Sequence, residues 1–311
     1  MKELREIVRV WQARRDDCSA LATLVRARGS SYRRPGARMI IFPDGAVVGS
    51  VSAGCLEDEV ASAARAVITS GRPRLLHFDT RRRFGCHGSI EVFIERTDGN
   101  LLGQLSRHLE SRCGCAIETR FEGDESRLGS GLIMEETAAA AGAFRQRIEP
   151  TLRLIIFGDG PDTAALSAQC HLLGWDVDRV ESVTALQPEV DDRTAVVIST
   201  HNYGRDCAAL RYFLPLGLRY VGVIGPRRRR DELMNDVLDS GAALNSEIFG
   251  PAGLHLAAES PEEIALAIAA EVQSVFAGGS GKRLRERRTP IHQPVISLWE
   301  GAGEECALSA P

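Results

Sequence analysis

Residues 152–182 read LRLIIFGDGPDTAALSAQCHLLGWDVDRVES. An apolar run leads into glycines, then a helical pattern, then a second β run. This is the sequence form of a β-α-β unit in a buried parallel sheet, whose strands are covered on both faces and so have no side to fill with polar residues. The strand gives way to the helix at Gly158-Asp159-Gly160-Pro161-Asp162-Thr163, with spacing G-x-G-x-x-T. The first glycine permits a tight turn, the second lets a phosphate approach the backbone, and the helix N-terminus favours the anion. Glu181 stands about where an acid would hold a ribose hydroxyl. Thr163 replaces the usual third glycine, and Asp159 places a negative charge where a pyrophosphate would lie. Two readings stay open: a turn that binds NAD(P), or the same Rossmann scaffold without a dinucleotide.

Working outward, TAVVIST (194–200) and YVGVIG (220–225) are further buried strands, with helices over 204–216 and 227–240. A last helix over 261–277 opens with the capped pattern Ser260-Pro261-Glu262-Glu263. In the first half, residues 3–14 and 56–70 have helical spacing, and Gly71 is a helix stop. β runs flank the turn Pro43-Asp44-Gly45, and LLHFDT and SIEVFIER are strands. Asp98 caps a helix over 98–111, and CGCAIETRFEG with SRLGSGLIM forms a hairpin. Residues 137–151 break the pattern. The expected architecture is α/β: a smaller N-terminal α/β domain with a mixed sheet over 1–140, a linker over 141–151, and a Rossmann-like parallel-sheet domain over 152–293. A flexible tail is expected over 294–311.

The 311 residues are 44% apolar and 26% charged, a globular composition with room for two domains. The net charge of −4 gives no general attraction to nucleic acid or acidic membranes. No apolar stretch reaches the ~18 residues of a membrane span. The N-terminus alternates charged and apolar residues, unlike a signal peptide, so the expected location is the cytoplasm. The eight cysteines contain no C-x-x-C pair, which disfavours a zinc ribbon.

Two cysteines have unusual settings. Cys55, in GSVSAGCLEDEV (49–60), sits in a small-residue seam at the mouth of a helix. The helix end lowers a thiol pKa, while Glu57, Asp58 and Glu59 raise it by repulsion, so the two influences conflict. Cys86, in Phe84-Gly85-Cys86-His87-Gly88, follows three arginines. Arg227-Arg228-Arg229-Arg230 open a helix, where positive charge opposes the dipole. They read either as a phosphate clamp or as a solvated face paired with Asp231, Glu232 or Asp236. The loop Ser30-Ser31-Tyr32-Arg33-Arg34-Pro35-Gly36 reads as an anion grip or as an exposed hairpin connection.

Together these residues resemble the XdhC/CoxI family. The resemblance runs through RGSSYRRPGARMIIFPDGAVVGSVSAGCLEDEV and FGCHGSIEVFIE in the first half, and through LIIFGDGPDTAALSAQCHLLGWDV, STHNYGRDCAALR, YVGVIGPRRRRDEL and ESPEEIALAIAAEV in the second. It implies an accessory chaperone that binds molybdenum cofactor, as molybdopterin or its dinucleotide, protects it and hands it to a molybdenum hydroxylase apoenzyme. The apoenzyme is of xanthine dehydrogenase or carbon monoxide dehydrogenase type. In some members a cysteine desulfurase exchanges an oxo ligand for sulfide. A homodimer is implied, with neither nucleic acid nor membrane as partner.

Carried over by residue, the resemblance makes Cys55 and Gly54 the family's G-G-C-x-E element, with Ala53 for its first glycine, and brings in Glu57. Cys86 matches its G-C-G-G-like element, with His87 for a glycine, and Gly158 and Gly160 match its G-x-G. Cys55 is the candidate molybdenum contact, a soft thiolate suiting such a metal. The cofactor's phosphate or nucleotide end is expected near the Gly158 turn or near Arg227 and Arg228. Three alternatives stand beside this: an NAD(P)-dependent oxidoreductase using His201 or Tyr203, a nucleotidyltransferase using Asp159 and Asp162, and a purely structural adaptor.

Overall fold

The computed structural model describes residues 1–29, 31–79, 88–97, 99–133, 141–182 and 190–288. The chain divides into two units after Pro150. In the first, α1 (Lys2–Ala13) buries Leu4, Ile7, Val8 and Trp11, the one-face stripe of a 3.6-residue period. β1 (Ala20–Gly29), β2 (Arg38–Ile41), β3 (Val47–Gly49), α2 (Glu57–Ser70), β4 (Arg74–Asp79) and β5 (Gly88–Arg96) follow. Then come α3 (Asn100–Glu110), β6 (Cys115–Arg120), β7 (Gly129–Ile133) and β8 (Ala143–Ile148). The larger sheet has order β3-β2-β1-β5-β4, and β7-β6-β8 make a second. Every pair among these described strands is antiparallel.

Alternation along β1 decides which helix covers which face. Ala20, Ala22 and Leu24 pack with Val60, Ala64 and Val67 of α2. Leu21 turns the other way, into a core with Ile7 and Trp11 of α1, Leu102 and Leu105 of α3, and Ile117 and Ile148. Gly71 stops α2 in the left-handed region at φ 70, its N–H reaching the Val67 carbonyl. Residues 141–151, expected as a linker, contain β8, which pairs with β6 from Ala143 to Ile148. The alanine-rich run before Phe144 hides that strand's alternation. Asp98 and the tail 294–311 lie outside the described residues.

The second unit contains β9 (Arg153–Phe157), α4 (Pro161–Leu173), β10 (Asp176–Val180), β11 (Thr194–Ile198) and α5 (Tyr203–Phe213). It continues with β12 (Val221–Val223), α6 (Arg227–Asp239), β13 (Ile248–Phe249) and α7 (Pro261–Ala277). The strands run parallel in the order β10-β9-β11-β12-β13. Ile155, Phe157, Val196 and Ile198 face α5 and α6 through Leu210, Leu233 and Val237. Leu154, Ile156, Ala195 and Val197 face α4 and α7 through Leu166, Ile268 and Val272. This is the α/β Rossmann-like domain read from the sequence. The order reverses between β9 and β11, and crevices at the carboxyl ends of strands beside such a switch are where these folds take ligands. Among the described residues, no helix is long and apolar enough to cross a membrane.

α7 begins with a complete capping box. Ser260 Oγ accepts from the Glu263 N–H at 3.3 Å, and Glu263 Oε2 accepts from the Ser260 N–H at 3.0 Å. Losing such a cap costs about 1 kcal/mol. Ser260→Ala is therefore expected to raise hydrogen exchange in the first turn of α7 several-fold, read by mass spectrometry. Unchanged exchange would show that the box adds nothing.

Candidate functional site

Between β3 and α2 the chain makes a series of bends over residues 51–56. Ser52 is buried, whereas Ala53, Gly54 and Cys55 are exposed. Gly54 has φ +99, a conformation that L side chains rarely adopt, and a Cβ there would meet nothing within 4 Å. Its glycine serves the bend, and the space beside it is open. The Cys55 thiol donates to Ser52 Oγ at 3.5 Å, and the Cys55 N–H donates to the same oxygen at 3.2 Å.

Glu57, the first residue of α2, folds back over this loop. Its Oε1 accepts from the Ser52 N–H at 2.8 Å, and its Oε2 from Ser52 Oγ at 2.5 Å and the Leu56 N–H at 3.1 Å. Burial opposes ionisation of Glu57, but the Ser52 hydroxyl and the amides of Ser52, Leu56 and Glu57 outweigh it and hold the pKa below the usual value. The carboxylate expected to meet a cofactor is thus engaged by the loop. It holds Ser52, whose hydroxyl oxygen in turn accepts from Cys55, so Ser52, to which no sequence motif drew attention, is the hub of the arrangement.

Among the described residues, the free cysteines separate into two groups. Cys115, Cys170 and Cys207 are buried, while Cys18 and Cys55 are exposed. Burial pushes the Cys115 thiol up to about 11 and the Cys170 thiol up to about 12, which keeps both protonated and inert. Cys113, expected on the strand with Cys115, precedes it. Cys86 and His87 lie outside the described residues, as does Ser30 of the polar loop.

In the second unit, Gly158 and Gly160 stand at the carboxyl end of β9, beside the switch point. A Cβ at Gly158 would sit 2.1 Å from the Ser199 carbonyl oxygen, so this glycine lets the β9–α4 turn press against the end of β11. At Gly160 the His201 ring is already in place, 3.7 Å from where a Cβ would be. His201 Nε2 lies 3.4 Å from Asp162, and Arg205 lies 3.8 Å from Asp159. Thr163, in the third-glycine place, is buried, donates to the Gly160 carbonyl and accepts from Arg179. The turn thus carries two carboxylates engaged by cations and an imidazole where a pyrophosphate would approach, which fits a dinucleotide poorly. The Tyr203 hydroxyl donates to Asp236 at 2.9 Å, and desolvation together with that carboxylate pushes its pKa up to about 12.

The four arginines of α6 do different things. Arg227 and Arg228 are exposed, and Arg228 pairs with Glu232 one turn on. Arg230 lies 2.7 Å from Asp231. Arg229 instead reaches the buried carboxylate of Asp206 at 2.8 Å, and Asp206 also takes the Thr200 hydroxyl. That pair braces the start of α6 against α5 and the end of β11. It joins residues 23 apart in sequence, so no local spacing announces it. The described candidates therefore form two sets: Gly54, Cys55 and Glu57 in one loop of the first unit, and Gly158, Gly160, Arg227 and Arg228 along the carboxyl edge of the second unit's sheet.

A model for the XdhC and CoxI family matches residues 11–79, and one for the XdhC Rossmann domain matches residues 154–272. A Bacillus subtilis (strain 168) protein described as a probable xanthine dehydrogenase subunit is 27% identical over 312 residues, taking in 82% of this chain and 92% of its own. PaoD of Escherichia coli (strain K12), described as a molybdenum cofactor insertion chaperone, is 27% identical over 267 residues, 83% of each chain. A crystal structure described as a xanthine dehydrogenase from Bacillus halodurans has TM-score 0.74, covering 89% of this chain and 96% of its own at 24% identity, a likeness of fold.

The lowered Glu57 pKa gives the loop a pH dependence. A carboxylate depressed in the folded state contributes stability that is full above its unfolded pKa and is lost as pH falls through the folded one. Glu57→Gln is thus expected to be less stable than the wild type at pH 7, with the difference shrinking as pH falls below about 4.5. Urea unfolding of both forms from pH 7 to pH 3 checks this. A difference that stays constant across the range would remove Glu57 from the clasp.

Proposed function

We propose, for a chain that belongs to the XdhC and CoxI family, the role of an accessory chaperone for molybdenum hydroxylases. It binds molybdenum cofactor, protects it, and delivers it to an apoenzyme of xanthine dehydrogenase or carbon monoxide dehydrogenase type. The proposal extends to a cytoplasmic homodimer that holds the cofactor while a cysteine desulfurase sulfurates it. The observation that carries the reading is the exposed Cys55 thiol on a glycine-bearing bend with open space beside it. A buried core cysteine needs no such bend, and a bulky cargo does. The name of the E. coli relative supports the same reading.

Thiolate is a soft ligand and suits molybdenum, the metal this cargo would bring. The chain's own contribution is positional. Ser52 and Glu57 hold the loop through three hydrogen bonds to the carboxylate, so the thiol is presented without being buried. Gly54 keeps the approach clear of a side chain. Arg227 and Arg228 offer exposed positive charge to a phosphate at the first turn of α6. Cys86 is retained as a second cofactor residue on the resemblance alone.

The competing readings gain less from the site. An NAD(P)-dependent oxidoreductase would have to displace His201 from Gly160, and Tyr203 is tied to Asp236. A nucleotidyltransferase would use Asp159 and Asp162 for a metal, and each faces a cationic or imidazole partner. Among the described residues no group of three or more His, Cys, Asp or Glu gathers to hold a metal ion.

Cys55→Ser removes the soft ligand and preserves the bend. It is expected to lower the pterin retained after anaerobic loading and desalting at least fivefold, with an unchanged far-UV circular dichroism spectrum. Retention equal to that of the wild type would remove Cys55 as the anchor.

A further inference from the structure

After α7 the chain continues into a short folded segment. Gly278 stops the helix in the left-handed region at φ 64. Gly279 then gives its N–H to the Ser274 carbonyl at 2.7 Å, and its own carbonyl takes the Ser274 hydroxyl at 2.6 Å. Gly281, at φ +67, brings the chain against Leu254, whose side chain lies 3.2 Å from where a Cβ would be. A 3₁₀ turn over Leu284–Glu286 follows. The Glu286 N–H donates to the Arg283 carbonyl and the Arg287 N–H to the Leu284 carbonyl, both at 3.0 Å. The backbone is thus held, while every residue from 281 to 288 is exposed.

Residues 282–288 read KRLRERR, five bases and one acid, in a chain that has more acid than base overall. Lys282, Arg283, Arg285 and Arg288 make no side-chain hydrogen bond or ion pair among the described residues. Two exposed arginines elsewhere show the contrast: Arg9 lies 2.6 Å from Glu6, and Arg228 lies 2.9 Å from Glu232. Cations set side by side repel one another, so this segment gains from a partner of opposite charge. Leu284, at the head of the turn, is 62% exposed and adds apolar surface among them.

We infer that segment 282–288 is a docking surface for an acidic face of the apoenzyme that receives the cofactor. The inference rests on the delivery step proposed above. Arginine suits such a surface, because its planar fork takes a carboxylate through two parallel hydrogen bonds. A backbone already held in place reduces the ordering that binding costs. Opposite charges steer the encounter and fix its orientation. Two features favour a protein over a nucleic acid. Glu286 would meet phosphates with like charge, and residues 278–288 contain no aromatic ring on which a base could stack. A single leucine is too little apolar surface to hold the segment on a membrane. The segment belongs to the second unit and Cys55 to the first, so docking and cofactor holding use different residues.

The test uses the full chain and cofactor-free xanthine dehydrogenase from the same source, with binding read by biolayer interferometry at low and at physiological salt. Saturable binding that weakens as salt rises is expected, because salt screens exposed charges. The triple variant Arg283→Glu/Arg285→Glu/Arg288→Glu is expected to weaken it at least tenfold, with pterin retention and far-UV circular dichroism equal to those of the wild type. The inference is overturned if the wild type does not bind the apoenzyme, if the triple variant binds it like the wild type, or if that variant also loses pterin. Tighter binding of oligouridylate or of phosphatidylglycerol vesicles than of the apoenzyme would overturn the assignment to a protein partner. A wild type that docks through the segment and retains no pterin would uphold the docking surface and contradict the carrier reading. One that retains pterin, with a triple variant that docks unimpaired, would do the reverse.

Discussion

A loop that displays a thiol cannot anchor itself by burying that thiol, so its order has to come from other groups. Here it comes from the contact between Ser52 and Glu57, hydroxyl to carboxylate at 2.5 Å. Through it, one buried serine oxygen serves the Cys55 amide and thiol, and one glutamate serves two backbone amides. Glu57 is also the first residue of α2, whose other face fills the core with Val60, Ala64 and Val67. The loop is therefore referenced to the packed part of the unit. Short polar residues at bends commonly satisfy local amides in this way.

The second unit solves a different problem, the meeting of strand ends at a switch point. Gly158 lets the β9–α4 turn press on the Ser199 carbonyl. One residue on, Thr200 gives its hydroxyl to Asp206, whose other oxygen takes Arg229. The turns that follow β9, β11 and β12 thereby meet at the carboxyl edge of the sheet. Glu271 of α7 plays a comparable part, accepting from the Tyr220 hydroxyl at 2.7 Å and the Gly253 N–H at 2.8 Å. Several charged residues of the recurrent sequence elements thus hold the scaffold, which leaves Arg227 and Arg228 as the exposed charges at the start of α6.

Much of the fold could be read from local sequence, because its signals are local. The apolar run before Gly158 gave the parallel sheet, and the Ser260 to Glu263 pattern gave the start of α7. β13 escaped because two residues carry no period, and β8 because alanines precede it. Of the candidate site, the cysteine on its small-residue bend was legible, since Gly54 needs its positive φ. The exposure that separates Cys55 from Cys170 depended on packing. Cys170 follows Leu166 at helical spacing and turns into the core with it. The Asp206–Arg229 brace was not legible, for it joins positions far apart in sequence.

The central claim, that this chain carries molybdenum cofactor, is tested most directly by its retention on the wild-type protein. The purified chain is loaded anaerobically, desalted and oxidised, and the fluorescent pterin is counted per chain. Near-stoichiometric pterin is the predicted result. Pterin no higher than on an unrelated protein treated alike would contradict the claim.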